Sequence, residues 1–156
     1  GLLILVRSDP VEYMPFDEES NSWEESHLRD WLNHDFLKEF TIGELNDIVR
    51  VRNSVILPYS QREKAETGDH SHYWNFTVDM VGNLSGTAYR YSVDDIVTIP
   101  TLDILKNIGA GSDYWVLCPY TSNDHMVRFM NDDGFVLHTD VKKELGVRAV
   151  IRYDAR

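Results

Sequence analysis

The chain has 156 residues, of which 42% are apolar and 12% aromatic, so one domain spanning 1–156 can fill its core without disulfides or metal ions. This composition excludes an intrinsically disordered chain. The formal net charge of −11 repels phosphate backbones and anionic lipid. We therefore expect no membrane insertion, and no nucleic-acid binding unless the few arginines cluster.

The chain opens with a short apolar run at residues 2–6, which Arg7 and Asp9 end. This run is too short to span a membrane and is typical of a fully buried strand. Because the chain begins inside this strand, we expect any export signal to lie upstream.

Two capping boxes predict two neighbouring helices between residues 23 and 49. The boxes are Ser22-x-x-Glu25 and Thr41-x-x-Glu44. Beyond the first box, apolar residues recur at the spacing of one helical face, which we expect to lie on the core. These apolar residues are Leu28, Trp31, Leu32 and Phe36.

The middle of the chain is less regular. Residues 51–57 fit a strand, and the polar residues 60–72 predict a loop. Residues 73–92 are rich in aromatic side chains, but glycines interrupt any period. A short strand at 96–99 then precedes a two-turn helix that Gly109 ends.

The last third of the chain predicts three strand regions. Residues 114–118 form a continuous apolar strand that ends at Pro119. A hairpin follows, because alternating residues flank an Asp-Gly turn at 131–134. Residues 147–151 supply a closing strand. This order of elements predicts an α+β fold with a mostly antiparallel sheet, two to three short helices and long irregular loops.

Four segments resemble, in the same order, the motifs of a family of bacterial surface-protein domains of unknown function. Residues 28–33 resemble an LR-x-WLN helix, and residues 95–99 fit the family's next strand. Residues 114–119 resemble an aromatic WWLRSP strand, and residues 146–149 resemble a terminal GVRP strand. The resemblance spans residues 2–152. Because the family usually starts with further strands before residue 2, the resemblance implies that this domain lacks its first strands.

The resemblance implies a C-type-lectin-like fold, distantly related to formylglycine-generating enzymes and to adhesion domains. It also implies an extracellular or cell-surface location. The chain departs from the family pattern at Leu117, Cys118 and Ala149, which replace arginine, serine and proline. Because the family has no established activity, the resemblance bears on fold more than on function.

Cys118, the one cysteine, is a candidate nucleophile. Thiolate catalysis requires a base within reach and a lowered pKa. The position of Cys118 between Leu117 and Pro119 in a predicted strand favours an inert packing thiol instead. A single cysteine also cannot reproduce the two-thiol copper site that the related enzymes imply.

Polar clusters offer candidate metal ligands. Residues 69–72 contain an Asp and two His, but their spacing does not match a zinc motif. Residues 123–124 and 131–133 supply oxygen ligands, of which calcium needs six to eight. The second group is also a complete turn signal. We predict no catalytic residue, no metal and no cofactor, with calcium as the alternative.

The tryptophans and two arginines have separate predicted roles. Trp31 lies on the apolar helical face and Trp115 lies in a strand, so both are expected in one core. Trp74 follows a polar loop and is favoured over the other three tryptophans as an exposed one, although large aromatic side chains are mostly buried. Arg29 and Arg148 stand between apolar residues and are expected to tie the structure together by pairing with carboxylates.

These features predict a non-enzymatic ligand-binding or adhesion module whose ligand is a protein or a glycan. Loops 60–92 and 119–125 would hold this ligand, because loops on a rigid scaffold carry function. The residues expected to border the binding face are Tyr73, Trp74, Tyr120, Asn123 and Asp124. The alternatives are a modifying enzyme akin to formylglycine-generating enzymes, or a purely structural domain. The net charge predicts weak binding of anionic glycans that improves with salt.

Overall fold

The computed structural model of the chain describes residues 2–64, 90–120 and 123–154. Within these residues the chain forms ten strands, three short α-helices and three 3-10 turns. In chain order the strands and helices are β1 (Leu2–Val6), β2 (Glu12–Met14), α1 (His27–Asn33), α2 (Ile42–Asp47), β3 (Val51–Ile56), β4 (Arg90–Asp95), β5 (Val97–Thr98), α3 (Leu105–Ile108), β6 (Tyr114–Pro119), β7 (Met126–Met130), β8 (Val136–Asp140), β9 (Leu145–Val147) and β10 (Val150–Asp154). The 3-10 turns are Phe36–Glu39, Tyr59–Lys64 and Leu102–Ile104. The predictions for residues 65–89, including Tyr73, Trp74 and the 69–72 cluster, lie outside the described residues.

The described strands form three sheets. A five-stranded sheet has the order β2-β9-β6-β7-β8, a three-stranded sheet has the order β1-β10-β5, and β3 pairs with β4. All these pairs are antiparallel except β6 with β9. The predicted α+β class with mostly antiparallel sheets is therefore confirmed.

The two predicted helices form, but only one capping box is correct. Thr41 and Glu44 cap α2 reciprocally, with N···O distances of 3.1 and 2.9 Å. The Ser22 box is wrong, because α1 begins one turn later. Its N-cap is Ser26, whose hydroxyl oxygen accepts the Arg29 N–H at 3.1 Å.

Two tryptophans and a phenylalanine form the centre of the main core. The Phe16 ring lies 5.8 Å from the ring of Trp115 and 6.0 Å from that of Trp23. The Trp115 indole N–H donates to the Met14 carbonyl at 2.9 Å, which satisfies its one polar atom. Trp115 is buried as predicted, whereas Trp31 is only half-buried, at the margin of the same core.

The first strand forms at the predicted residues, but the prediction that it is fully buried is wrong. Residues 2–5 are each 44–55% exposed. β1 pairs with β10 on one side and is the edge of its sheet. An apolar run does not distinguish a strand covered on both faces from an edge strand.

The predicted closing strand at 147–151 is two strands in two sheets, joined by Arg148 and Ala149. Arg148 is buried at this crossing. Its Nε donates to the Arg7 carbonyl at 2.7 Å, and its guanidinium carbon lies 4.9 Å from the centre of the Tyr114 ring. Among the described residues, the partners of Arg148 are the carbonyl oxygens of Arg7 and Gly109 and the Tyr114 ring, and the expected carboxylate partner is not found there.

The predicted turns and the short second-half helix are confirmed. Gly134 has a φ of 89° in the β7–β8 hairpin, and Gly109 has a φ of 68° at the end of α3. Both angles lie in the region that glycine adopts without strain. The Asn131 side-chain oxygen accepts the N–H groups of Asp133 and Phe135, which is the turn interpretation of the 131–133 cluster.

Gly146 is required for space where β9 lies between β2 and β6. A Cβ atom at this position would lie 2.8 Å from the Asp113 carbonyl oxygen and 2.9 Å from Pro10 Cγ. We expect Gly146→Ala to lower the free energy of unfolding by about 1–3 kcal/mol, because the backbone must shift. Chemical denaturation measures this change. Gly111→Ala is the matched control, since a Cβ atom there would have no neighbour within 4 Å, and an equal loss in that variant would contradict the argument.

The two tryptophans should differ in energetic cost. We expect Trp115→Ala to destabilise the domain by about 3–5 kcal/mol, because it empties a fully buried site. Trp31→Ala should cost about 1–2 kcal/mol, since its ring is half-buried and stacks on Phe36 at 5.6 Å. Urea unfolding of both variants checks the order, and equal losses would place Trp31 in the same core environment as Trp115.

Candidate functional site

A cleft of about 400 Å³ opens between the β3–β4 pair, β10 and the start of the Leu102–Ile104 turn. Three arginines line it, one each from β3, β4 and β10: Arg52, Arg90 and Arg152. Asp103 is the one carboxylate among the described residues of the lining. The cleft is thus locally basic in a chain whose net charge is −11.

Backbone pairing brings these separated residues together. Arg90 is the first residue of β4 and pairs with Ile56 of β3. Arg52 lies two residues before Ser54 on β3, so both side chains are on the exposed face of this strand pair. On the other side, the Leu117 N–H of β6 donates to the Pro100 carbonyl at 2.8 Å, which holds the segment carrying Asp103 beside the sheet. Rigid strands therefore position most of the lining.

The three guanidinium groups have few partners among the described residues. Arg90 Nη1 donates to the Ser54 carbonyl at 3.2 Å, and its buried Nε has no acceptor there. Arg152 Nη1 lies 3.5 Å from the Asn53 side-chain oxygen. Within the described part of the chain, none of the three arginines forms an ion pair.

A buried carboxylate connects the cleft to the core. Asp95 is 2% exposed and accepts the Trp23 indole N–H at 2.9 Å and the Asn53 amide at 2.8 Å. Its other oxygen accepts Arg29 Nε at 2.6 Å. Arg29 is therefore a structural tie to a carboxylate, as predicted. The same Asn53 amide group offers its oxygen to Arg152 at the cleft.

The predicted ligand residues in the second loop are half-buried and have structural contacts. The Asn21 side chain donates to the Asn123 carbonyl at 3.0 Å, and the Asn21 N–H donates to the Asp124 carbonyl at 2.7 Å. The Asp124 carboxylate accepts hydrogen bonds from the backbone and hydroxyl of Ser60. These bonds pin the 119–125 loop to the N-terminal segment and to the chain after β3.

Tyr120 belongs to a stacked group on one face of the five-stranded sheet. Its ring lies 3.9 Å from the His138 ring, and the Arg128 guanidinium carbon lies 5.3 Å from its centre. Arg128 is fully buried, which the alternation of Val127, Arg128 and Phe129 does not predict. Burial and the nearby Arg128 charge lower the pKa of His138.

Cys118 is a packing thiol in this structure. It is 1% exposed, its sulfur lies 3.7 Å from the Pro119 carbonyl oxygen, and burial raises its pKa to about 11. A thiol with this pKa is almost entirely protonated at neutral pH. The predicted inert role is consistent with this burial.

Two further features of the described residues bear on function. No group of three or more His, Cys, Asp or Glu side chains that could hold a metal ion occurs in residues 2–64, 90–120 and 123–154. In the same ranges, every helix is too short or too polar to cross a membrane.

Alkylation of the native protein tests the state of Cys118. We expect a mild alkylating agent to react only as the domain unfolds, even near pH 9, where an exposed thiol with a pKa of about 8.5 reacts readily. Mass spectrometry of native and urea-unfolded protein measures the difference. Rapid stoichiometric labelling of the native protein would show an accessible thiolate and would reopen the enzyme alternative.

Comparison with known proteins identifies a family but no characterised relative. No curated protein and no solved structure matches the chain. A family model described as "Domain of unknown function (DUF6273)" matches residues 3–152, which is nearly the whole chain. The expectation of a family of domains of unknown function is thereby confirmed, and the chain belongs to the DUF6273 family.

Proposed function

We propose that this domain is a non-enzymatic ligand-binding or adhesion module of a bacterial surface or secreted protein, with a protein or a glycan as ligand. The arginine-lined cleft is the observation that carries this proposal. Its volume of about 400 Å³ lies in the usual range for a ligand site. Arg90, which lies in the cleft lining, also belongs to the segment 60–92 that is predicted to hold the ligand, but it is the first residue of strand β4 and not part of a loop.

The chemistry of the cleft favours binding over catalysis. Arginine guanidinium groups stay protonated, so they bind and orient anionic groups but do not exchange protons at neutral pH. Cys118 is buried and its pKa is raised, which argues against the thiol chemistry of an enzyme akin to formylglycine-generating enzymes. A modifying enzyme of that kind and a purely structural domain of a larger surface protein are the two alternatives to this proposal.

The C-type-lectin-like fold and the surface location belong to the same proposal. They rest on the motif resemblance at residues 28–33, 114–119 and 146–149. In the structure these segments are α1, β6 and the β9–β10 crossing. An adhesion domain of this kind binds its ligand with loops that a rigid sheet holds in place.

A binding screen with a matched variant tests the proposed module. We expect the native domain to bind at least one probe on an array of immobilised glycans and surface proteins. Tyr73→Ala/Trp74→Ala/Tyr120→Ala should lose about tenfold or more of that affinity while remaining folded by circular dichroism, because aromatic side chains dominate binding energies. Leu137→Ala, at a 43% exposed position on β8, is the control. Tyr120 is not among the described residues that line the cleft. Unchanged affinity in the folded triple variant would therefore remove the predicted aromatic face from the site and leave the arginine-lined cleft, and turnover of any probe would favour an enzyme.

A further inference from the structure

The cleft carries a charge opposite in sign to that of the whole chain. Among the described residues that line it, three are arginines and one, Asp103, is acidic. Asp94 is in register with Arg52 across the β3–β4 pair, so two nearby carboxylates face three positive charges, and an anion would offset the remaining charge. The groove beside α1 has the opposite balance, since its described lining has four carboxylates, Glu24, Glu25, Asp30 and Asp94, and two arginines, Arg29 and Arg50.

The donors in the cleft are held in place and have bonding capacity to spare. Each guanidinium has five N–H donors. The described partners of Arg90 and Arg152 are one oxygen each, Ser54 O and Asn53 Oδ1. The Asn53 amide donates to the buried Asp95, which fixes the position of the Asn53 oxygen that faces Arg152 Nη1 at 3.5 Å. Preorganised donors of this kind lose little entropy on binding.

We propose that the ligand enters this cleft through one oxyanion group, a carboxylate, sulfate or phosphate, that the guanidinium groups of Arg52, Arg90 and Arg152 bind. This inference rests on the proposed binding function and names the chemistry of its ligand. Apolar side chains of Ile56, Leu102 and Leu117 line the same cleft and would contact the uncharged part of the ligand.

The rest of the surface favours a ligand with a single acidic group over a polyanion. A long polyanion must lie along acidic surface outside the cleft, where it is repelled. A small acidic sugar or another monoanion fits within about 400 Å³ and meets only the local positive charge. Its binding should weaken as salt rises, the reverse of what the net charge alone predicts.

Paired probes test this proposal on the whole chain. Glucuronate and glucose differ in one carboxylate, and inorganic sulfate and phosphate separate the anion from the sugar. We expect ¹⁵N-detected Arg Nε–Hε signals of Arg90 and Arg152 to shift with glucuronate, and more weakly with the inorganic ions, but not with glucose. Calorimetry should show affinity for glucuronate falling as NaCl is raised.

Charge-matched variants locate the site. R52Q/R152Q should reduce glucuronate affinity about tenfold or more, because the variant removes two charged hydrogen-bond donors to the oxyanion. R50Q/R7Q removes the same charge outside the cleft and should leave the affinity unchanged. Thermal unfolding checks that both variants are folded, and R52Q alone, at an exposed position, is the fallback if the double variant unfolds.

The outcomes separate this inference from the proposed function. No response to any of the anions, or equal losses in both double variants, would overturn the oxyanion site. If array ligands still bind R52Q/R152Q with native affinity, the binding module stands and the oxyanion site is wrong. If a heparin oligosaccharide binds more tightly than glucuronate, and its affinity rises with the number of its acidic groups, the proposal of a ligand with a single acidic group is wrong and the cleft binds polyanions.

Discussion

Asp95 places a carboxylate in the interior, and three separate parts of the chain converge on it. The donors are the Trp23 indole before α1, the Arg29 guanidinium within α1 and the Asn53 amide on β3. A buried charge costs several kcal/mol unless it is paired and hydrogen-bonded. The position of α1 against the β3–β4 pair therefore depends on all three donors reaching Asp95 together.

The spacing of the helix motif has a structural explanation in the same region. Leu28 and Leu32 are buried in the main core, and Arg29 pairs with Asp95. Asn33 is the last residue of α1, and its side chain forms hydrogen bonds with the backbone at the start of β5, as a paired strand would. Its side-chain oxygen accepts the N–H groups of Ile96 and Val97 at 2.9 Å, and its amide donates to the Val97 carbonyl at 2.9 Å. The residues of this motif therefore attach α1 to the sheet, and the motif gives little information about a ligand.

The sequence predicts those elements whose signals are local. The Thr41 box, the glycines at 109 and 134 and the continuous strand at 114–118 each fix their own backbone, and all are found. Burial is predicted less well, because it depends on which elements cover a residue. Leu2–Val6 is an edge strand, and the buried Arg128 is paired in register with His138, neither of which a periodicity shows.

The cleft is invisible in the sequence for a related reason. The three arginines, Arg52, Arg90 and Arg152, are far apart in the sequence and form no basic run. Only strand register and sheet packing bring them together. Net charge is likewise a property of the whole surface. The net charge governs how an ion approaches while it is still farther from the surface than the Debye length of about 8–10 Å. Inside a half-enclosed cleft, the nearest charged groups outweigh that distant sum, because water screens them less.

Long-range repulsion therefore acts on the rate at which an anion reaches the domain, and short-range attraction acts on how long the anion stays bound. The acidic surface slows the encounter with any anion, an effect that salt removes. The arginines retain the anion once it has entered, through directional hydrogen bonds as well as charge. A domain built in this way discriminates by the number of charges on its ligand: one acidic group is accepted, while each further acidic group on the same ligand meets repulsion from the surrounding surface.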